Sequence, residues 1–255
     1  MKLGAKIDLK PEHSHLVKKL EKLFDFIEVY YKPIAAEKIK KDLLSNTRFV
    51  VHAPHHADVV NLARLRKSNI KYIERSVVFA SKIKARYVIV HPGYLPVTQK
   101  KRKSKYLENC IKNLKELKKF AEEYGIKILV ENLPLKSVKN SLELCSTPQE
   151  LKKILKKVKC GFVLDFSHAY HASISHKVDY KKFIREFVKL KPVMFHLYDG
   201  RANEEADSHL PLGEGNLDLP FFISFIKDED VTLEISPPTL KNYVNALKYL
   251  KRFMR

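Results

Sequence analysis

The sequence predicts a single (β/α)8 barrel, and three observations carry that expectation. Eight short apolar runs recur along the 255 residues. Stretches with a helical apolar period separate them. Six consecutive runs, the third to the eighth, end on or beside a side chain able to ligate a metal ion. Barrels of this kind commonly have about 250 residues and build their sites at the C-terminal ends of the strands. The runner-up, an open doubly wound sheet, wants a glycine-rich phosphate turn after an early strand, and no G-x-G-x-x-G is present. No linker-like stretch and no repeat beyond the β/α alternation divides the chain, so residues 1–255 are read as one domain.

In order, the runs are Leu3–Ile7, Phe24–Tyr30, Phe49–His52, Tyr87–His91, Ile126–Glu131, Phe162–Asp165, Val193–His196 and Val231–Ile235. Several are near-continuous in Val, Ile, Leu and Phe, as expected of parallel strands covered on both faces. After the fourth run, Leu107, Cys110, Ile111, Leu114, Leu117, Ala121 and Tyr124 fall on one face of a helix, and Gly125 suits its C-terminal cap. Thr147-Pro148-Gln149-Glu150 spells a capping box with proline at the first helical position. The helix it opens is expected to end near Cys160-Gly161. Tyr180–Leu190 and Thr239–Phe253 are further helices.

Composition bounds the function. No segment reaches the roughly 18 apolar residues of a membrane span, and the first residues lack the apolar core of a signal peptide, so a cytoplasmic location without membrane partners is expected. Cys110, Cys145 and Cys160 are far apart and show no C-x-x-C spacing, so they read as small apolar residues in a reducing compartment. With 49 basic and 29 acidic residues the net charge is +20. Such a surface suits a polyanionic partner. Many lysines, such as Lys112, Lys115 and Lys119, also read as the solvated faces of helices.

The chemistry gathers at the run ends. His52, His91, Glu131, Asp165, His196 and Glu234 close the third to eighth runs. His168 lies three residues past Asp165, and Asp207-Ser208-His209 follows in the seventh loop. Alone, each histidine or carboxylate reads as a hydrogen-bonded core residue or a helix cap. Nine together at one barrel mouth do not, because burying so many acids without cations costs several kcal/mol each. Imidazole and carboxylate donors suit zinc, with manganese or another divalent ion as alternatives, and nine donors exceed one tetrahedral ion, so two or three ions are expected. His13, His15, His171 and His176 read as surface or supporting residues. His55 and His56 follow His52 on the same loop and are placed toward substrate.

On these residues the chain resembles the endonuclease IV (AP endonuclease family 2) group of the xylose-isomerase-like TIM barrels. The resemblance spans nearly the whole chain. Its most specific parts are Val90-His-Pro-Gly93, Val130-Glu-Asn132, Asp165-Phe-Ser-His168 and the stretch from Asp207 to Asn216. It implies three zinc ions: His52 and His91 on the first, Glu131 bridging to a second completed by Asp165, His196 and Glu234, and His168, Asp207 and His209 on the third. It further implies hydrolysis of the DNA backbone at abasic sites, with Glu131, Glu234 and Asp165 at the reacting centre. His55 stands where the family often has an aromatic wedge, and Tyr198 and Arg201 stand where it usually has Asn and Lys, so His55 and Arg201 are placed against substrate. The basic run around Lys101, Arg102 and Lys103, with Lys100 and Lys105, is expected to hold phosphates. The rival reading within the same superfamily is a sugar isomerase or epimerase acting on a small sugar. The resemblance gives that class one divalent ion on Glu131, Asp165, His196 and Glu234.

Overall fold

The computed structural model describes residues 1–8, 10, 13–36, 47–55, 60–137, 140–202 and 208–253. Eight parallel strands close into a barrel: β1 (Lys2–Asp8), β2 (Phe26–Tyr30), β3 (Phe49–His52), β4 (Tyr87–Val90), β6 (Lys127–Glu131), β9 (Gly161–Asp165), β10 (Met194–Leu197) and β11 (Asp230–Leu233). Each pairs with its neighbour in that order, and β1 pairs with β11 to shut the ring. The eight apolar runs are these strands, with ends moved by one or two residues: His91 and Glu234 lie just past β4 and β11.

Helices α1 (Ser14–Leu20), α2 (Pro33–Ala36), α3 (Lys67–Lys82), α4 (Lys103–Glu123), α5 (Pro148–Val158), α6 (Phe166–Ser175), α7 (Tyr180–Val188), α8 (Leu219–Ile223) and α9 (Leu240–Leu250) lie between or after the strands. On α4 the expected face is buried from Leu107 to Ala121, whereas Tyr124 is exposed and sits past the last turn. Gly125 takes the positive φ (68°) of a helix stop. At α5, Thr147 accepts from the Glu150 amide at 3.3 Å with Pro148 in the first turn, as the capping box requires. The helix stops at Val158, two residues earlier than expected, because Lys159 enters the left-handed region. Cys110 and Cys145 are buried and Cys160 half-buried, all as thiols. No described helix is long and apolar enough to cross a membrane.

A three-stranded sheet of β5 (Tyr94–Pro96), β7 (Lys136–Ser137) and β8 (Ser141–Glu143) caps the loops after β4 and β6. Segments of two or three residues carry no readable alternation, so the sequence did not reveal it.

Side chains alternate along a strand, so residues two apart share a face. The outward face packs against the helices in one large apolar cluster. Inside the barrel, Phe26, Val50, Tyr87, Ile89, Leu129, Val163 and Met194 form a second cluster. Gly4 belongs to this plug: a Cβ there would lie 2.2 Å from the Phe26 ring. One step of two residues up each strand brings the chain from plug to polar layer. Gly4 leads to Lys6, Phe26 to Glu28, Val50 to His52, Ile89 to His91, Leu129 to Glu131, Val163 to Asp165, Met194 to His196 and Thr232 to Glu234. Each of the eight strands thus supplies one member of a single layer at the C-terminal mouth.

Candidate metal centre

The layer is buried at its base. His52, Glu28, Asp165 and His196 are fully buried, Glu131 and Glu234 nearly so, and His91 opens toward solvent. It holds four carboxylates (Glu28, Glu131, Asp165, Glu234) and one lysine, Lys6, so with neutral imidazoles the sum is −4 + 1 = −3. A buried excess of that size is costly unless protons or metal cations offset it.

Hydrogen bonds to backbone carbonyls fix several tautomers, because a carbonyl only accepts. His52 Nδ1 lies 2.9 Å from the Ala53 carbonyl, His168 Nδ1 2.9 Å from that of Asn132, and His209 Nδ1 2.9 Å from that of Glu234. All three nitrogens therefore carry the hydrogen, and in each neutral ring the lone pair is on Nε2. His52 Nε2 lies 3.1 Å from Glu131 Oε2, and His91 Nε2 lies 3.1 Å from the same oxygen. A lone pair aimed at a buried carboxylate oxygen demands a cation between them, either an added proton or a metal ion. This is the fit expected of an imidazole–carboxylate metal site.

The other oxygen of Glu131 faces the opposite half of the layer. Oε1 lies 3.2 Å from His196 Nδ1 and 3.3 Å from His168 Nδ1. Glu131 thus spans two pairs of imidazoles, one oxygen to each. Among the described residues, three sets of side chains have ligand atoms close enough to share an ion: His52, His91 and Glu131; Glu131, Asp165 and His168; and Glu28, His196 and Glu234. These buried clusters can hold metal ions.

Electrostatics follow the same plan. Burial is the largest influence on His91 and pushes it down to about 4 against the pull of Glu131, so the ring is neutral and available as a ligand. Burial likewise keeps His55 well below the ordinary imidazole range. Burial works against charge on His196 too, but Glu234, Glu28 and Glu131 outweigh it and hold the ring protonated well above its usual range. Burial also opposes charge on Lys6, and Glu234, Glu28 and Glu131 again outweigh it. Burial opposes ionisation of Glu131 and Glu234. His196 and His91 lower Glu131, and His196 and Lys6 lower Glu234, well below the carboxylate range.

Lys6 and Glu28 were not anticipated from the sequence. Glu28 Oε2 lies 3.1 Å from His196 Nε2 and accepts from Thr232 Oγ1 at 2.7 Å, while Lys6 bonds Glu234 and lies 3.8 Å from Glu28 Oε1. The available signal was a charge inside an apolar run, Ala5-Lys6-Ile7 and Ile27-Glu28-Val29. In a strand covered on both faces such a charge must find a buried partner.

The other expected site residues fall as follows. Asp165 caps α6 by accepting from the His168 amide at 2.7 Å, and Asn132 clamps the Asp165 backbone through both its amide atoms (2.8 and 2.9 Å). The Val-Glu-Asn stretch therefore supplies one candidate ligand and positions another. His209 stacks on Tyr198 (4.1 Å between centroids), and the Tyr198 hydroxyl donates to Asp165 at 3.3 Å. Asp207 and His56 lie outside the described residues. His55 stacks on His91 at 4.2 Å. Arg201 is exposed at the start of the loop after β10. The basic run divides: Lys103 pairs with Glu150, Lys101 is exposed, and Arg102 lines a separate surface pocket. His171 is buried and His176 half-buried.

Asp199, fully buried, ties the loop after β10. Its carboxylate accepts from the amides of Gly200, Gly213, Gly215 and Leu217 at 2.8–3.2 Å. This explains the Gly213-Glu-Gly215 sequence: Gly213 has φ +88°, and a Cβ on Gly215 would lie 2.4 Å from Asp199 Oδ1. Above the layer, a cavity of about 250 Å³ is lined by Lys6, Asp8, His209, Glu234 and Ser236.

Comparison with known proteins agrees with this architecture. An uncharacterized protein of Methanocaldococcus jannaschii is 28% identical over 213 residues, covering 80% of this chain and 69% of its own. A probable endonuclease 4 of Mycoplasmopsis pulmonis is 26% identical over 219 residues, covering 79% of this chain and 75% of its own. Among solved structures, a D-tagatose 3-epimerase-like protein superposes with a TM-score of 0.77 at 25% identity, covering 100% of this chain and 97% of the other. The sequence model of one family, described as xylose isomerase-like TIM barrel, matches residues 16–253. With a closed eight-stranded barrel, a polar layer at its C-terminal mouth and a family match over nearly its whole length, the chain belongs to the xylose isomerase-like TIM barrel family.

Proposed function

We propose that the protein is a zinc-dependent phosphodiesterase that cleaves the DNA backbone at abasic sites. The observation that carries this reading is the convergence of His52 and His91 Nε2 on Glu131 Oε2. A cation held there would be additional to the one ion that an isomerase needs on Glu131, Asp165, His196 and Glu234, and would share Glu131 with it. His168 and His209, each held with its lone pair on Nε2, add donors beyond that set, and Asp207 completes them in the proposed three-ion centre. Divalent ions held here would supply Lewis acidity toward a phosphoryl oxygen and toward water.

The chain's own groups do the rest. Glu131 fixes the spacing of the two donor groups through its two oxygens. Lys6 brings positive charge into the mouth cavity, where a phosphate oxygen would lie. His55, stacked on His91, forms part of the wall, and Arg201 stands at the rim. A base-lacking deoxyribose enters such a cavity at reduced cost, since no base has to be unstacked. The junction of β1 with β11, from opposite ends of the chain, supports reading residues 1–255 as one domain. The buried free thiols fit a reducing, cytoplasmic setting.

The epimerase reading rests on the likeness to the D-tagatose 3-epimerase-like structure and on the nearness of Glu131 and Glu234 to His196 (3.2 and 2.9 Å). The deciding experiment measures bound metal and assays an abasic-site duplex beside a ketose panel, for wild type, His209→Ala and Asp207→Ala. Each variant is expected to lose about one ion, because few ligands hold each site, and about a hundredfold or more in cleavage. One ion in the wild type, with ketose epimerisation that survives both changes, would make the protein an epimerase.

A further inference from the structure

We propose that the depression between the loop preceding α3 and the start of α4 is a phosphate-binding pocket, occupied by a backbone phosphate of a nucleic-acid strand. It shares no residue with the metal layer. Four cations line it, Arg64 and Arg66 from one segment and Arg102 and Lys105 from another, with Tyr106 and Asn109 beside them in a volume of about 360 Å³. No acid lines it. Among the described residues none of the four cations forms an ion pair, whereas their neighbour Lys103 is held by Glu150. Four like charges gathered in one depression repel one another, and an anion with several acceptor oxygens relieves that repulsion.

The pocket is built rather than incidental. Asparagine amides hold the backbone that carries Arg64 and Arg66. Asn113 Nδ2 donates to the carbonyls of Leu62 (2.7 Å) and Arg64 (3.0 Å), and Asn109 Nδ2 to that of Ala63 (3.2 Å). Asn69 Nδ2 donates to the Asn61 carbonyl at 2.8 Å, and Asn61 Oδ1 accepts from the amides of Ala63 and Tyr94. Asn61, Asn69 and Asn113 are all buried. The Arg64 guanidinium lies over the Tyr94 ring at 5.9 Å, which limits its freedom. The 16-residue α3 follows Arg66 at its N-cap position, with no side-chain cap and no acid in its first turn, so its positive end adds to the field.

Position and exposure favour a polymer. The loop follows β3, and α4 follows β4, so the pocket opens at the same end of the barrel as the metal layer. Asn61 ties the loop to Tyr94, three residues past His91. A strand engaged at the mouth therefore has the pocket in its path along the rim. Arg66, Arg102 and Lys105 are exposed, as suits a backbone running past rather than a small enclosed ligand. Within the run Lys100–Lys105, Arg102 and Lys105 line the pocket, joined by two arginines distant in sequence.

This inference deepens the phosphodiesterase reading and rests on it for the choice of nucleic acid. The test measures binding of the metal-loaded protein to a 20-bp undamaged duplex by fluorescence anisotropy across a salt series. Wild type is compared with R64S/R102S, R66S/K105S and, as a control of equal charge loss on α5, K152S/K156S. Each pocket variant is expected to weaken binding tenfold or more at low salt and to lower the log–log salt slope by about two, while the control moves far less. Melting temperatures establish that the variants fold, and R66S/K105S removes only exposed side chains. Two further arms titrate inorganic phosphate and ribose 5-phosphate, and a third follows hydrolysis of bis(p-nitrophenyl) phosphate. Loss of ribose 5-phosphate binding with unchanged DNA binding would keep the pocket but overturn its backbone occupant. Unchanged slope together with unchanged phosphate binding would overturn the pocket itself. If the slope falls as expected but the wild type cleaves no phosphodiester, the functional reading fails and the pocket stands.

Discussion

Glu28 is the sharpest point at which to test how the centre is assembled. Its carboxylate only accepts, so the hydrogen bond at 3.1 Å keeps one hydrogen of His196 on Nε2; a metal ion would take the place of the second proton at Nδ1, which faces Glu234 and Glu131. In Glu28→Gln the side-chain shape survives, but the charge is lost and one of the two polar atoms becomes a donor. If the amide nitrogen turns to His196, Nε2 must accept and the hydrogen moves to Nδ1, the wrong face for a metal. If the oxygen turns to His196 instead, the nitrogen turns toward the Lys6 ammonium, now 3.8 Å from Oε1. Either outcome weakens the centre. Changes to groups that orient a metal-bound histidine typically cost about 10–100-fold in affinity, or about 1.4–2.8 kcal/mol. The assay is a zinc titration of the apo protein against a competing chelator, with cobalt substitution to follow the ligand field by visible absorption. Glu28→Ala, which also strips the partner from Thr232, is expected to lose more. Wild-type zinc affinity and an unchanged cobalt spectrum in Glu28→Gln would refute the orienting role.

Two further outcomes follow from the site. In the apo protein, His91 (down to about 4) and His55 bind protons less readily than in the unfolded chain, where an imidazole titrates near 6.5. Their contribution is present above pH 6.5 and is lost on acidification toward 4. His196, held well above 6.5, contributes fully below that value and loses its share as pH rises through its folded pKa. The apo melting temperature is therefore expected to peak near pH 6.5 and fall on both sides; a flat profile from pH 5 to 8 would contradict this balance. Gly215→Ala drives a Cβ to 2.2 Å from the Gly200 carbonyl oxygen and 2.4 Å from Asp199 Oδ1. It is expected to cost about 1–3 kcal/mol by overpacking and to loosen the metal held through His209, read by thermal melting and metal content; wild-type values for both would refute the role given to Asp199.

The barrel was legible because its strands are buried on both faces and leave apolar runs that helices separate. The candidate ligands from His52 to Glu234 could be picked out because, in those six strands, the polar layer coincides with the end of the run. Strands β1 and β2 differ: they continue two residues past the layer, to Asp8 and Tyr30. Lys6 and Glu28 therefore sit inside their runs and escape a search for ligands at strand ends. Asp199 escaped for another reason. Its partners Gly213, Gly215 and Leu217 are 14 to 18 residues away, and only the folded loop brings their amides to one carboxylate. The division of the basic run also depends on tertiary placement, since it needed Arg64 and Arg66 beside α4 and Glu150 beside Lys103.

The Asp199 tie has a consequence for how ions enter and leave. Its four amide bonds, with the paired bridge between Asp199 and Leu210 (2.8 and 2.9 Å), close the base of the loop that carries His209. Closing a loop of this length from a free chain has an entropic cost of several kcal/mol. The tie uses only the chain's own donors and acceptors, so it is in place without an ion. The His209 carbonyl also accepts from the Ser236 amide at 2.8 Å. The backbone that carries His209 is thus clasped from the Leu210 side, and an ion that binds through this side chain meets an anchor already set.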